Sequence, residues 1–141
     1  MFQTRKDFVF VILAGIFITN AVTAELIGGK LIQIGPFVMS IGILPWPIVF
    51  LTTDLINEYF GEKGVRKLSF ITACLIAYSF LILLLAMSIP AAKGISPVND
   101  DQFKAVFGQS MWIIVGSIIA FLVSQLIDVT VFWFFKNRTG D

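Results

Sequence analysis

Two short polar groups interrupt an otherwise apolar chain. Asp54, Asn57 and Glu58 stand three and four residues apart, and Ser124, Gln125 and Asp128 repeat the pattern further on. On a helix, residues at these spacings share one face. Carboxylates only accept hydrogen bonds, whereas Asn and Gln amides both donate and accept. Such a set suits a neutral or cationic solute rich in N–H donors. A guanine-like edge, with adjacent N–H and NH2 donors that one carboxylate can accept in parallel, is one such solute. Rings for stacking on a flat heterocycle are plentiful, and Trp46 and Phe50 are the candidates to stack. An ionisable side chain at membrane depth is costly, which favours a functional reading over a decorative one.

The elements that must carry these groups follow from composition. Of 141 residues, 57% are hydrophobic and 13% charged, and the mean hydropathy is +0.92. A soluble domain carries about 25% charged residues. About 20 apolar residues cross a bilayer as a helix. Four runs pass that test, at about 8–28, 36–60, 68–89 and 111–135. The expected fold is therefore all-α, a polytopic bundle of four transmembrane helices in one integral-membrane domain, 1–141. Pro45-Trp46-Pro47 falls inside the second run, where proline bends or breaks a helix. Residues 99–107 read as a short outer helix, with Asn99 as N-cap, Gln102 three residues later and Phe103, Val106 and Phe107 on one apolar face.

The charge distribution orients the bundle. Arg5, Lys6, Lys63, Arg66, Lys67, Lys136 and Arg138 fall on one side, against Lys30, Lys93 and Lys104 on the other. The positive-inside rule then puts both termini in the cytoplasm. The first run also admits a secretory-signal reading, with Arg5-Lys6 ahead of it and Val22-Thr23-Ala24 as a cleavage site. Counting inward at 1.5 Å per residue sets Asp54 and Asp128 each about 10 Å inside the layer. Asn20 falls near the midplane and Glu25 closer to the outer face. Two polar helix faces at matching depth predict a shared cavity, with Asn20 and Thr23 as a third wall. The plainer alternatives are helix-end anchoring by Arg66, Lys67 or Lys136, favoured for Glu58, and an interhelical hydrogen bond from Asn20 worth about 0.6 kcal/mol. Lys30, on its own evidence, is an outer-edge lysine.

Several function classes are excluded. No histidine is present and Cys74 is alone, which removes His-based catalysis, an internal disulfide and Cys/His metal sites. Gly28-Gly29-Lys30 lacks the rest of a phosphate-binding loop. A net charge of +1 with no basic patch gives no case for nucleic acid. No nucleophile–base pair supports an enzyme. No metal or other cofactor is expected, and the expected partners are a small molecule and the lipid bilayer.

Asn20 with Lys30, Gly42-Ile43-Leu44-Pro45, the segment Phe50 to Gly61, Ser124-Gln125-Leu126-Ile127-Asp128-Val129, Phe132 and Lys136-Asn137-Arg138-Thr139-Gly140 together resemble the queuosine precursor transporter family, also described as vitamin-uptake-like transporters. The resemblance covers essentially the whole chain. It implies a six-helix protein of the cell inner membrane that imports 7-deazaguanine bases such as 7-cyano-7-deazaguanine for tRNA modification. The present residues would supply the N-terminal two-thirds, and family members continue into two more helices. It also implies substrate contacts from Asn20, Asp54, Asn57, Glu58, Ser124, Gln125 and Asp128, with Lys30 as a further motif position. Secondary or facilitated transport is the leading expectation. The alternative is a substrate-capture subunit of an energy-coupled vitamin uptake system that needs an ATPase partner. Exact substrate, energy coupling, homo-oligomerisation and association with the further helices or another subunit are left open by these residues.

Overall fold

The computed structural model describes residues 4–109 and 111–140. Helix α1 spans Arg5–Ile27. Thr4 starts it by a reciprocal cap: its hydroxyl accepts the Asp7 N–H at 3.2 Å and the Asp7 carboxylate accepts the Thr4 N–H at 3.1 Å. After Gly28 the chain forms an antiparallel hairpin, β1 (Leu31–Ile34) and β2 (Phe37–Ser40), in the register Leu31 to Ser40 and Ile34 to Phe37. Gly35 takes φ +60° at the first position of its two-residue turn, a conformation that favours glycine. Ser40 Oγ donates to the Gly28 carbonyl at 2.7 Å and accepts the Gly42 N–H at 3.0 Å. One hydroxyl thereby ties the hairpin to the end of α1 and opens the 3-10 turn Ile41–Ile43.

Helix α2 runs Trp46–Phe60, α3 Glu62–Ser88, α4 Asp100–Phe107 and α5 Met111–Thr139. Pro47 lies in the first turn of α2, where its missing N–H costs no bond. Gly61, at φ +81°, both ends α2 and precedes α3. The outer helix α4 has the expected cap, with Asn99 accepting from the Gln102 N–H at 2.8 Å and Gln102 accepting from the Asn99 N–H at 3.0 Å.

The all-α membrane bundle is borne out, with one correction to its boundaries. The expected span 36–60 is helical only from Trp46, because β2 and the 3-10 turn occupy its first half. Its 15 residues rise about 22 Å, short of a hydrocarbon layer about 30 Å thick. Proline at positions 45 and 47 explains the break: helix cannot continue backwards through a residue whose ring collides with the preceding turn. Among the described residues, three stretches are long and apolar enough to cross a membrane: α1, α3 and the one containing α5.

Helix α2 packs against α1, α3 and α5, and the core gathers around it. Phe17 and Ala21 from α1, Val49 and Ile56 from α2, Val65, Ala73, Ile76 and Phe80 from α3, and Phe121 and Val129 from α5 are all buried. Large apolar side chains elsewhere, such as Phe70, Leu81 and Leu85, face outward, as a lipid-facing surface requires. Hydroxyls within the apolar helices bond back to carbonyls four residues earlier: Thr52 to Ile48 at 2.6 Å, Thr72 to Leu68 at 2.8 Å and Thr130 to Leu126 at 2.6 Å. This satisfies them without water.

The α1–hairpin seam has no room for a side chain at Gly42. A Cβ there would stand 2.6 Å from the Ala24 carbonyl oxygen and 3.2 Å from Ser40 Oγ. Gly42→Ala should therefore cost about 1–3 kcal/mol. Gly15→Ala, inside α1 with nothing within 4 Å, should be neutral or stabilising by about 0.5–1 kcal/mol. Thermal unfolding in detergent checks both; equal melting temperatures for the two variants would contradict the seam.

Candidate functional site

Two neighbouring polar zones emerge from this packing. The deeper one lies between α2, α3 and α5. Gln125 is 1% exposed, and its Oε1 lies 3.2 Å from Thr53 Oγ1 and 3.3 Å from Ser69 Oγ. Thr53 also donates to the Val49 carbonyl at 2.8 Å. Its single hydrogen cannot serve both acceptors fully, so the Gln125 amide works in either orientation. Either way, one end of that amide is left over. Asn57, at 0% exposure, has no partner on Nδ2 or Oδ1, and Gln125 Nε2 and Asp128 Oδ2 are also buried without a partner. Each orphaned buried polar group costs about 1–3 kcal/mol. Four such atoms lie buried on the packed helices α2 and α5.

Asp54 sits on the exposed side of α2, and Asp128 is half-buried on α5. Glu58 is elsewhere engaged. Lys136 Nζ donates to it at 2.8 Å and also lies over the Trp133 and Phe132 rings, 5.2 and 5.8 Å from their centroids. This is the helix-end anchoring expected for Glu58.

The second zone is a cavity of about 630 Å³ toward the hairpin end of the bundle. Such a volume lies within the range of small-molecule sites. Trp46, Phe50 and Phe121 line it with aromatic surface, and Glu25, Ser117 and Ser124 supply polar atoms. The Trp46 ring centroid is 5.6 Å from that of Phe50 and 6.0 Å from that of Phe121. Ser117 donates a hydrogen bond to Glu25 Oε2, and Gln109 Nε2 donates to the Glu25 backbone carbonyl at 3.1 Å.

The structure therefore buries Asn57 and Gln125 and half-buries Asp128 on the packed helices α2 and α5, leaves Asp54 on the exposed side of α2, and lines the cavity with Trp46, Phe50 and Ser124. Ser124 and Gln125 are adjacent on α5, so the zones meet there. Asn20 is not among the cavity-lining residues; its Nδ2 donates to the Ile16 carbonyl of its own helix at 2.9 Å. Thr23 and Lys30 are exposed, and neither lines the cavity. Sequence reasoning did not assign Glu25, Ser117, Thr53 or Ser69 to a site. Glu25 carried a signal, being an acid within a spanning run; the three hydroxyl residues carried none.

Residues 40–141 match the protein family described as "Putative vitamin uptake transporter". A protein of Bacillus subtilis named "Probable queuosine precursor transporter" is 29% identical over 106 residues, covering 73% of this chain and 44% of that protein. One of the same name from Haemophilus influenzae is 29% identical over 94 residues, covering 64% of this chain and 37% of its own length. The chain thus spans less than half the length of either curated relative. No solved structure matches it. The resemblance read from the motifs is borne out, and it is to transporters and not to enzymes. With three apolar helices of spanning length and a family match across most of its residues, this multi-pass membrane chain belongs to the vitamin uptake transporter family.

Proposed function

We propose that this chain forms the substrate-binding part of an inner-membrane importer for a queuosine precursor, a 7-deazaguanine base such as 7-cyano-7-deazaguanine. The observation that carries the reading is the set of buried, unpartnered amide and carboxylate atoms on Asn57, Gln125 and Asp128; none of the three lines the cavity walled by Trp46 and Phe50, which adjoins them through Ser124. A flat base with adjacent N–H and NH2 donors and a ring carbonyl complements that set. Asp128 and Asp54 accept the donors, Asn57 and Gln125 orient the base, Ser124 lies at the mouth, and Trp46 or Phe50 stacks on the ring. Asn20 and Glu58 serve the site from its margins, one bonded within its own helix and the other to Lys136. The names of the relatives support the substrate class. The seven-to-three division of Lys and Arg supports cytoplasmic termini. The greater length of the relatives supports a working unit of six helices, with Asp54 facing segments of that unit. Transport then proceeds by alternating access around the acids, without an ATPase.

Uptake of labelled 7-deazaguanine base by cells lacking their own importer tests this. The chain is compared with a version extended by the relatives' C-terminal part, and Asp54→Asn and Asp128→Asn are placed in whichever form transports. Each substitution should lower uptake about tenfold or more, the worth of a charge-assisted hydrogen bond. Wild-type uptake from both variants would refute the acidic site. Liposome uptake that requires an added ATPase would favour the capture-subunit alternative.

A second expectation concerns stability. Asn57→Leu removes two orphaned polar atoms at nearly constant volume, so it should raise the melting temperature while abolishing uptake. A lowered melting temperature would mean that the Asn57 amide is hydrogen-bonded in the native protein.

A further inference from the structure

We infer that Glu25 is a second recognition carboxylate, an outer station that captures the donor edge of a purine-like base before it reaches Asp128; this rests on the function proposed above. Glu25 is the single charged side chain among the residues lining the 630 Å³ cavity. Among the described residues the ion pairs are Arg66 with Glu62 and Lys136 with Glu58, so Glu25 has no cationic partner. Among the described residues its carboxylate accepts a hydrogen bond from the Ser117 hydroxyl on Oε2, which orients it and leaves lone pairs on both oxygens. A carboxylate held in a largely apolar cavity without a cation is costly, and a ligand bringing two parallel N–H donors offsets that cost.

The surrounding residues suit a flat guest. Gly28, Gly42 and Ala24 line the cavity with Glu25, and Trp46, Phe50 and Phe121 supply its ring surface. On α5, Ser117, Ser124 and Asp128 are seven and four residues apart, one face of the helix. From Ser117 to Asp128 that face runs about 16 Å. One bicyclic base cannot touch Glu25 and Asp128 at once, so the two acids act in succession, with Ser124 and Gln125 between them. The chemistry recognised is the paired ring N–H and exocyclic amine, not the substituent at position 7.

Equilibrium dialysis with the chain in lipid nanodiscs tests the assignment, using labelled 7-cyano-7-deazaguanine and its counterpart lacking the exocyclic amine. Glu25→Gln should raise Kd for the amine-bearing base about tenfold or more. It should also erase the preference for that base over the des-amino probe, while Asp101→Asn on the outer helix leaves both unchanged. Ser117→Ala, which loosens the carboxylate without removing it, should raise Kd a few-fold. If Glu25→Gln fails to fold, Glu25→Asp and Ser117→Ala decide, and unchanged Kd and discrimination in both overturn the assignment. Wild-type binding with an unaffected Glu25→Gln variant overturns the Glu25 station alone. If neither the wild-type chain nor the version extended by the relatives' C-terminal part binds either probe, the proposed function is overturned together with it.

Discussion

The absence of water at membrane depth is the constraint on which this structure depends. Within the bilayer each backbone and side-chain polar group must find its partner inside the protein. Most do so locally: the helices close their own backbone bonds, and Thr52, Thr72 and Thr130 return their hydroxyls to carbonyls one turn back. Against that background the exceptions stand out. Asn57, Gln125 and Asp128 each bury an atom that nothing in the described chain satisfies. Trp133 Nε1 is also buried without a partner, on the ring that the Lys136 ammonium overlies.

Helix α2 concentrates the conflict between stability and function. It is the shortest of the core helices, and it packs against all three of the others. Val49 and Ile56 hold it in place, while Thr53, Asn57 and Asp54 on neighbouring turns bring polar atoms into or beside the same core. An apolar helix would pack better there. Polar atoms buried there without partners give up stability.

How much of this was legible depended on the range of the interactions. The α4 cap could be read because Asn99 and Gln102 satisfy each other three residues apart, and α1, α3 and α5 because long apolar runs declare themselves. The break ahead of α2 was visible in Pro45-Trp46-Pro47, but the hairpin before it was not. Phe37-Val38-Met39 is as apolar as a spanning segment, and only Gly35-Pro36 marked a turn. The pairing of Glu25 with Ser117 was out of reach, since 92 residues separate them and neither carries a motif. Asn20, a polar residue near the predicted midplane, directs its amide N–H to the Ile16 carbonyl of its own helix, a bond the spacing of site residues does not reveal.

Gly61 has a mechanical implication. Helices α2 and α3 meet at this one residue, whose N–H still bonds to the Asn57 carbonyl at 3.1 Å while its own carbonyl accepts from Gly64 at 3.1 Å. A joint that belongs to both rods has no slack. Any rocking of the rod bearing Asp54 and Asn57 is levered directly into the start of α3, where Lys63, Arg66 and Lys67 lie.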